Sequence, residues 1–446
     1  MQNASKIGQP GLIAWSCCGW AFLTMVAMLL SAAVAFSQQD GPAGNLAELG
    51  KKIFFDATLS LTGNQSCASC HAPEVGFSGP SERFNRMGAY EGAIHGQFGK
   101  RKPQTAAYVG SFPVLHIESK DGVPTFVGGS FWDGRATGRR LNDPLAEQAQ
   151  APLLNSIEQA LPDSACVVQR VCAGSYAELY GRVSPGTCNI PALTSFTCRE
   201  GRPVQLDAEA RRQIATGFDV IARALDNYEE SEEVSAYTSK YDAWQSGKAE
   251  LSPQELEGLA IFSGKGKCSN CHPATSLSEG TKALFTDFTY DNLGVPRNPA
   301  NPWYRERKAN PAGRNWTDLG LGGFLQTEPS WRKYSKENMG RFKVPTLRNV
   351  DKRPHPAFVK SYMHNGYFTS REAVVSFYNT RGVKPTCHNA FTPEAEALAR
   401  GCWPAPEMPQ TVNREELGKL NLTADEEKAL VAFLKTLSDG FILTAR

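Results

Sequence analysis

Two five-residue strings carry the chemistry of this sequence: Cys67-Ala-Ser-Cys70-His71 and Cys268-Ser-Asn-Cys271-His272. Two thiols separated by two residues can add to the two vinyl groups of one porphyrin, and the adjacent imidazole then reaches the iron as the proximal ligand. A bare Cys-x-x-Cys would equally suit a disulfide, a thiol redox pair or half a zinc site. A histidine directly after the second cysteine, twice in one chain, points instead to two covalently bound c-type hemes. Such hemes do redox chemistry, and the protein sets axial ligands, access and electrostatics. With two of them, one iron can open beside an acid/base group while the other keeps its sixth position filled and passes electrons. His95, His116, His355, His364 and His388 are the other histidines, and Met87, Met339, Met363 and Met408 the methionines beyond the N-terminal segment. Residue type does not choose a sixth ligand among them.

Each motif follows a segment with apolar residues at helical spacing. Residues 45–56 precede Cys67, and residues 252–264 precede Cys268. Ser252-Pro-Gln-Glu255 is a capping box with proline at the first helical position, and Leu256, Leu259, Ile261 and Phe262 supply the apolar face. Helix, short loop and heme motif thus recur about 200 residues apart, as a duplicated unit would. Residues 207–229 read as a long helix with Ile214, Phe218, Ile221 and Leu225 on one face. A polar stretch at 230–252 marks the boundary between halves. Thr423-Ala-Asp-Glu426 opens a C-terminal helix carrying Leu430, Phe433, Leu434 and Leu437. Pro/Gly-rich loops such as 294–313 lie between, and no run of alternating strands stands out. The expected class is mainly α, in long-looped halves at 45–240 and 250–446.

The chain has 446 residues and a formal net charge of +2, with no basic stripe, which argues against nucleic acid as a partner. Lys6 precedes an almost uncharged run over 8–38, and Ala33 and Ala35 offer a small-residue cleavage site. Residues 1–38 therefore read as a signal peptide, with an uncleaved membrane anchor as the alternative. Either way the body is exported. Cys166, Cys172, Cys188, Cys198, Cys387 and Cys402 are an even set that an oxidising compartment would let pair. Three disulfides are expected, Cys387–Cys402 foremost. The first four lie in an insert whose role, structural or donor-docking, is left open.

The chain resembles the bacterial di-heme cytochrome c peroxidases and their MauG-type relatives. The resemblance rests on Leu49-Gly-Lys-Lys-Ile-Phe-Phe-Asp56, Phe131-Trp-Asp-Gly-Arg-Ala136, Glu147-Gln-Ala149, Asn155-Ser-Ile-Glu158, Val344-Pro-Thr-Leu-Arg-Asn349 and His364-Asn-Gly366, in family order around both heme motifs. It implies two cytochrome-c-like heme domains in a periplasmic enzyme that reduces hydrogen peroxide with electrons from a small cytochrome c or cupredoxin. By the same resemblance Glu158 is the acid/base residue over the N-terminal heme, Gln148 lines its distal pocket, and Trp132 lies between the hemes. His95 falls near a family position that ligates the N-terminal iron in resting enzymes. Opposite His272 the classical members carry Met, whereas the matching residue here is Tyr378, as in the MauG type; Met363 is the rival ligand. Phenolate favours oxidised iron and lowers the potential, and thioether raises it. Tyr378 thus favours a runner-up activity, the use of peroxide to oxidise residues of a partner protein. A third reading is a di-heme electron carrier without catalysis. The family's calcium ion is in doubt, because Lys102 stands where a ligand is expected. Homodimerisation is an expectation of the resemblance alone.

Overall fold

Residues 42–110, 112–276 and 281–443 are described by a computed structural model; the expected signal segment, 1–38, lies outside them. The α-helices among these residues are α1 Pro42–Phe54, α2 Glu82–Met87, α3 Pro144–Leu154, α4 Ser164–Ala173, α5 Ala177–Val183, α6 Ala208–Glu230, α7 Lys240–Gln245, α8 Pro253–Ser263, α9 Gly320–Thr327, α10 Arg371–Thr380, α11 Glu394–Arg400 and α12 Ala424–Lys435. None is long and apolar enough to cross a membrane. The described residues from 46 onward pack as one unit. The sequence signals start the helices where the chemistry dictates. Asp207 accepts the Ala210 amide to cap α6, and the boxes at Ser252/Glu255 and Thr423/Glu426 open α8 and α12 by satisfying amides that lack intrahelical partners. The polar stretch at 230–252 contains α7, capped by a further box at Ser239/Asp242.

One helix crossing is built twice. On α1, Gly50 lies so close to α6 that a β-carbon would sit 1.8 Å from the Ala224 carbonyl oxygen and 2.9 Å from Tyr228 Cβ. On α8, Gly258 meets the Ala429 oxygen at 2.0 Å and Phe433 Cβ at 2.8 Å on α12. Three and four residues beyond each glycine stand an isoleucine and a phenylalanine, Ile53/Phe54 and Ile261/Phe262. Phe54 packs edge-on against Phe77 and Tyr228, and Phe262 against Phe285 and Phe433. Phe77 and Phe285 both hold a left-handed backbone, with φ of 54° and 53°. In an exposed helix, alanine in place of glycine adds about 1 kcal/mol. Here the added methyl would meet backbone, so Gly50→Ala is expected to lower the unfolding free energy by about 1–3 kcal/mol. A denaturant midpoint of the variant at or above the parent value would contradict so close a crossing.

The insert belongs to the N-terminal core. Cys166, Val167, Val168 and Val171 of α4 are fully buried in the same cluster as Leu49, Phe54 and Ile214. Its disulfides are Cys166–Cys198 and Cys172–Cys188, and Cys387–Cys402 closes a loop of the C-terminal half. Two short antiparallel ladders accompany the helices of the mainly α class that was expected. Strands β1 His116–Lys120 and β2 Val123–Val127 form a hairpin in which Lys120 faces Val123. The turn is Asp121-Gly122, both at positive φ, the pair that a two-residue hairpin turn prefers. Its strands are largely exposed and lack clean apolar alternation, which hides them from a periodicity reading. Strands β3 Tyr290–Asp291 and β4 Phe342–Lys343 form the second ladder, and the Lys343 amide donates to the Trp132 carbonyl.

Candidate active site: two cavities that share Trp132

The N-terminal motif borders a cavity of about 480 Å³ whose apolar wall includes Phe54, Val109, Phe112, Leu145 and Leu225. His71 Nδ1 lies 3.3 Å from the Phe77 carbonyl oxygen. A carbonyl only accepts, so Nδ1 carries the hydrogen and Nε2 keeps a free lone pair, the form that binds iron. Burial pulls His71 down to about 4, which keeps it neutral. Burial also pushes the Cys70 thiol up to about 12 and Cys67 higher still. Neither is the depressed thiol of a redox pair. Gln65 and Gln159 border the cavity too, each with a buried amide oxygen that lacks a partner. An apolar chamber with an anchored neutral imidazole, two thiols and a few orphaned polar atoms fits a covalent heme that receives a small polar guest.

Glu158 borders the same cavity, as do Gln148 and Arg135. Asn155 ends α3 and folds the chain back: its side-chain oxygen accepts the Ile157 amide at 3.0 Å, and its carbonyl accepts the Glu158 amide at 3.0 Å. Its Nδ2 donates to Glu158 Oε1 at 2.6 Å. The turn is pinned from outside by the Ala93 amide, which donates to the Glu158 carbonyl at 2.7 Å. Upstream, the Glu147 carboxylate accepts amides of Gly138 and Leu141, which fixes the start of α3 and therefore the direction of Gln148. Burial raises the Glu158 carboxyl above its ordinary value; Arg135 and the Asn155 bond oppose that without cancelling it. A carboxyl held in this way takes and returns a proton near neutral pH more readily than an ordinary glutamate.

The C-terminal motif borders a second, smaller cavity of about 210 Å³. His272 Nδ1 donates to the Phe285 carbonyl at 2.7 Å, the counterpart of the His71–Phe77 pair. Tyr378 on α10 and Met363 both reach this cavity, and the Tyr378 hydroxyl lies 4.0 Å from Met363 Sδ. Both candidate sixth ligands thus stand in one place, with Met363 at a positive φ of 68°.

Trp132 borders both cavities. Its Nε1 donates to the Lys102 carbonyl at 2.8 Å, its own carbonyl accepts the Lys343 amide at 2.9 Å, and its ring lies 6.5 Å edge-on from His364. Below it, Arg101 donates to Asp133 at 2.6 Å and takes Asp318 in a fork of two 2.7 Å bonds. All three are nearly buried. Lys102 is half-buried, donates to the Pro103 carbonyl, and is pulled down to about 8 by desolvation.

His95 is not brought to the site. Its side chain is 98 % exposed, outside the cavity where a ligand was expected, and its Nδ1 lies 2.8 Å from Glu91 Oε1. Three bordering residues escaped the sequence reading. Arg135 stood within a quoted motif without a role. Gln65 had no signal. Glu229 did: it continues the apolar stripe Phe218, Ile221, Leu225 of α6, where a carboxyl is out of place.

Comparison with known proteins agrees with this geometry. The family described as di-haem cytochrome c peroxidase matches residues 44–250. The methylamine utilization protein MauG of Paracoccus denitrificans is 33% identical over 423 residues, spanning 94% of this chain and 95% of that protein. The cytochrome-c peroxidase IdrP1 of Denitromonas iodatirespirans is 25% identical, spanning 87% and 80%. The crystal structure of the diheme peroxidase BthA from Burkholderia thailandensis superimposes with a TM-score of 0.64 at 29% identity, over 88% of this chain and 86% of that one. A non-catalytic electron carrier therefore gives way to an enzyme that acts on peroxide. Two heme motifs, each beside its own cavity, and relatives that match nearly end to end place this chain in the di-haem cytochrome c peroxidase and MauG family, as an oxidoreductase with two c-type hemes.

Proposed function

We propose that hydrogen peroxide is reduced to water in the N-terminal cavity, with electrons arriving from the C-terminal heme past Trp132. The observation that carries this reading is Glu158, held by Asn155 at the wall of the cavity that contains His71. Cys67, Cys70 and His71 would hold a heme there, which would supply the redox chemistry for cleavage of the O–O bond. Glu158 accepts a proton from one peroxide oxygen and returns it to the other, which then leaves as water. Gln148 and Arg135 orient the peroxide, and the apolar wall excludes competing water. His71 and His272, each with Nδ1 against a carbonyl oxygen, would hold the irons through Nε2. Residues 45–240 and 250–446 are proposed as the two cytochrome-c-like domains, on the strength of the repeated glycine crossing and the repeated histidine–carbonyl pair. The proposed setting is the periplasm, and the proposed donor a small cytochrome c or cupredoxin. Lys102 offers an amine rather than an oxygen donor where calcium would be bound, so calcium has no part in this reading.

Tyr378 supports a second reading, in which peroxide is used to oxidise residues of a partner protein, in keeping with the relative named for methylamine utilization. The discriminating experiment adds peroxide to the protein and then offers a reduced cytochrome c. Steady oxidation of the donor supports the peroxidase. A long-lived oxidised protein that ignores the donor supports the second reading. In Tyr378→Met the C-terminal heme spectrum should shift from a phenolate-type to a thioether-type signature with a higher potential; an unchanged spectrum would remove Tyr378 as the ligand. Trp132→Phe should slow donor oxidation by about tenfold or more, roughly 1.4 kcal/mol of barrier, while both heme spectra stay unchanged. Undiminished turnover would take Trp132 off the electron path.

A further inference from the structure

The C-terminal end of helix α6 carries three carboxyl groups, Asp226, Glu229 and Glu230, at the three- and four-residue spacing that puts them on one face. They differ in depth. Glu230 is exposed, and its Oε1 sits over Gly110, where a β-carbon would fall 2.3 Å away. Asp226 is 5% exposed, and its Oδ1 has no partner. Its carboxyl faces that of Asp143, the residue that caps α3. Two neighbouring carboxyl groups repel unless one of them holds a proton. Glu229 is 6% exposed and borders the N-terminal cavity. The groups facing the row are Asp143 from the α3 cap, Arg223 from α6 itself, and Cys67 from the heme motif. Only Arg223 is cationic, and it is engaged by Asp143 at 2.9 Å.

Buried carboxyls without a cation of their own are unfavourable unless they stay protonated. A row of them on the stripe that otherwise carries Ile214, Phe218, Ile221 and Leu225 has no packing reason. The reaction gives it one. Reduction of one peroxide takes H₂O₂, two electrons and two protons to two waters. Glu158 only moves a proton that peroxide brings with it. Two further protons must cross from solvent in each turnover, while a one-electron donor protein supplies the electrons.

We infer that Glu230, Asp143, Asp226 and Glu229 form the path by which those protons reach the N-terminal cavity. The exposed Glu230 exchanges with solvent, the Asp226–Asp143 pair hands the proton inward, and Glu229 delivers it at the cavity wall. Burial, then the neighbouring Asp143 and Glu230, raise Asp226, and burial raises Glu229, which favours the proton-carrying form of both.

The test uses the holoprotein with Glu229→Gln and Asp226→Asn, which keep volume and lose the transferable proton. Peroxide turnover with a reduced cytochrome c is measured across pH in H₂O and D₂O. Both variants should slow roughly 10–100-fold, the size of one lost proton-transfer group. The loss should deepen as pH rises, with an enlarged solvent isotope effect. Independently of turnover, infrared spectra of the resting protein should lose a deuterium-sensitive carboxylic C=O band in each variant. Unchanged turnover, or an equal loss at every pH with an unchanged isotope effect, would overturn the path. So would intact infrared bands. Should Glu229→Gln fail to assemble, Glu230→Gln at the exposed end decides: a steeper pH profile supports the path and an unchanged one overturns it. The inference rests on peroxide being reduced in the N-terminal cavity. Full activity in Glu158→Gln would sink that reading, whereas loss there with an unaffected Glu229→Gln would sink the path alone.

Discussion

Glu158→Gln is expected to slow peroxide reduction by roughly 10²–10⁴-fold, about 3–5 kcal/mol of barrier, with both hemes still attached. The substitution preserves size, and an amide oxygen can still accept from Asn155 Nδ2, which now binds the carboxylate at 2.6 Å. What is lost is the group that carries a proton from one peroxide oxygen to the other. The parent should also show an acid limb in its pH–rate profile. Glu158 must be ionised to take the proton, and burial raises its carboxyl. Activity should therefore fall with decreasing pH at a higher value than an ordinary glutamate would give, and that limb should vanish from the residual activity of the variant. Stopped-flow mixing with peroxide across pH measures both. A variant within threefold of the parent, or one that keeps the limb, would assign the acid/base role elsewhere.

The largest stability effect is expected at Arg101. Its guanidinium joins Asp133 and Asp318 through three bonds of 2.6–2.7 Å in a nearly solvent-free position. A pair of this kind adds little over a well-packed apolar substitute, but removing one partner strands the other charges. Arg101→Leu should therefore lower the unfolding free energy by about 3–5 kcal/mol at neutral pH. The pH dependence gives the sign. Burial alone would raise Asp318, but Arg101, by charge and by hydrogen bonding, brings it well below the usual carboxylate range, and Asp133 is lowered likewise by Arg101 and Arg135. Carboxyls depressed in the folded state add stability above their unfolded value near 4 and lose it as pH falls through the folded value. The parent should thus be acid-sensitive. Without Arg101 the burial of Asp318 prevails, its carboxyl rises, and the variant should lose stability as pH increases from about 4 to 7. Denaturant unfolding at both pH values distinguishes the cases; parallel curves would show that the network is not coupled to folding.

The sequence disclosed most clearly what depends on local spacing. Both heme motifs, the caps at Asp207, Ser252 and Thr423, the long α6 and the Cys387–Cys402 bond are set within a few residues of chain. Tertiary partners were less legible. The pairing Cys166–Cys198 and Cys172–Cys188 depends on how α4 lies in the core, which spacing does not encode. His95 had the right residue type near a ligand position, yet its side chain lies at the surface, beside Glu91. The Arg101–Asp318 fork joins residues 217 apart, and no pattern in either neighbourhood announces it. Glu229 was visible as a carboxyl on an apolar stripe, but its meaning required the cavity it faces. The β1–β2 hairpin was announced by Asp121-Gly122 and obscured by strands with little to bury.

The central claim is that two similar heme cavities have unequal roles, the one at His71 open to a small ligand and the one at His272 closed by a side chain. Titration of the ferric holoprotein with cyanide, followed by electron paramagnetic resonance, tests it directly. One equivalent should bind per chain and alter one heme signal. Its affinity should change in Glu158→Gln and be unaffected in Tyr378→Met. Binding of two equivalents, or of one whose affinity follows Tyr378 and ignores Glu158, would contradict the assignment of peroxide chemistry to the N-terminal cavity.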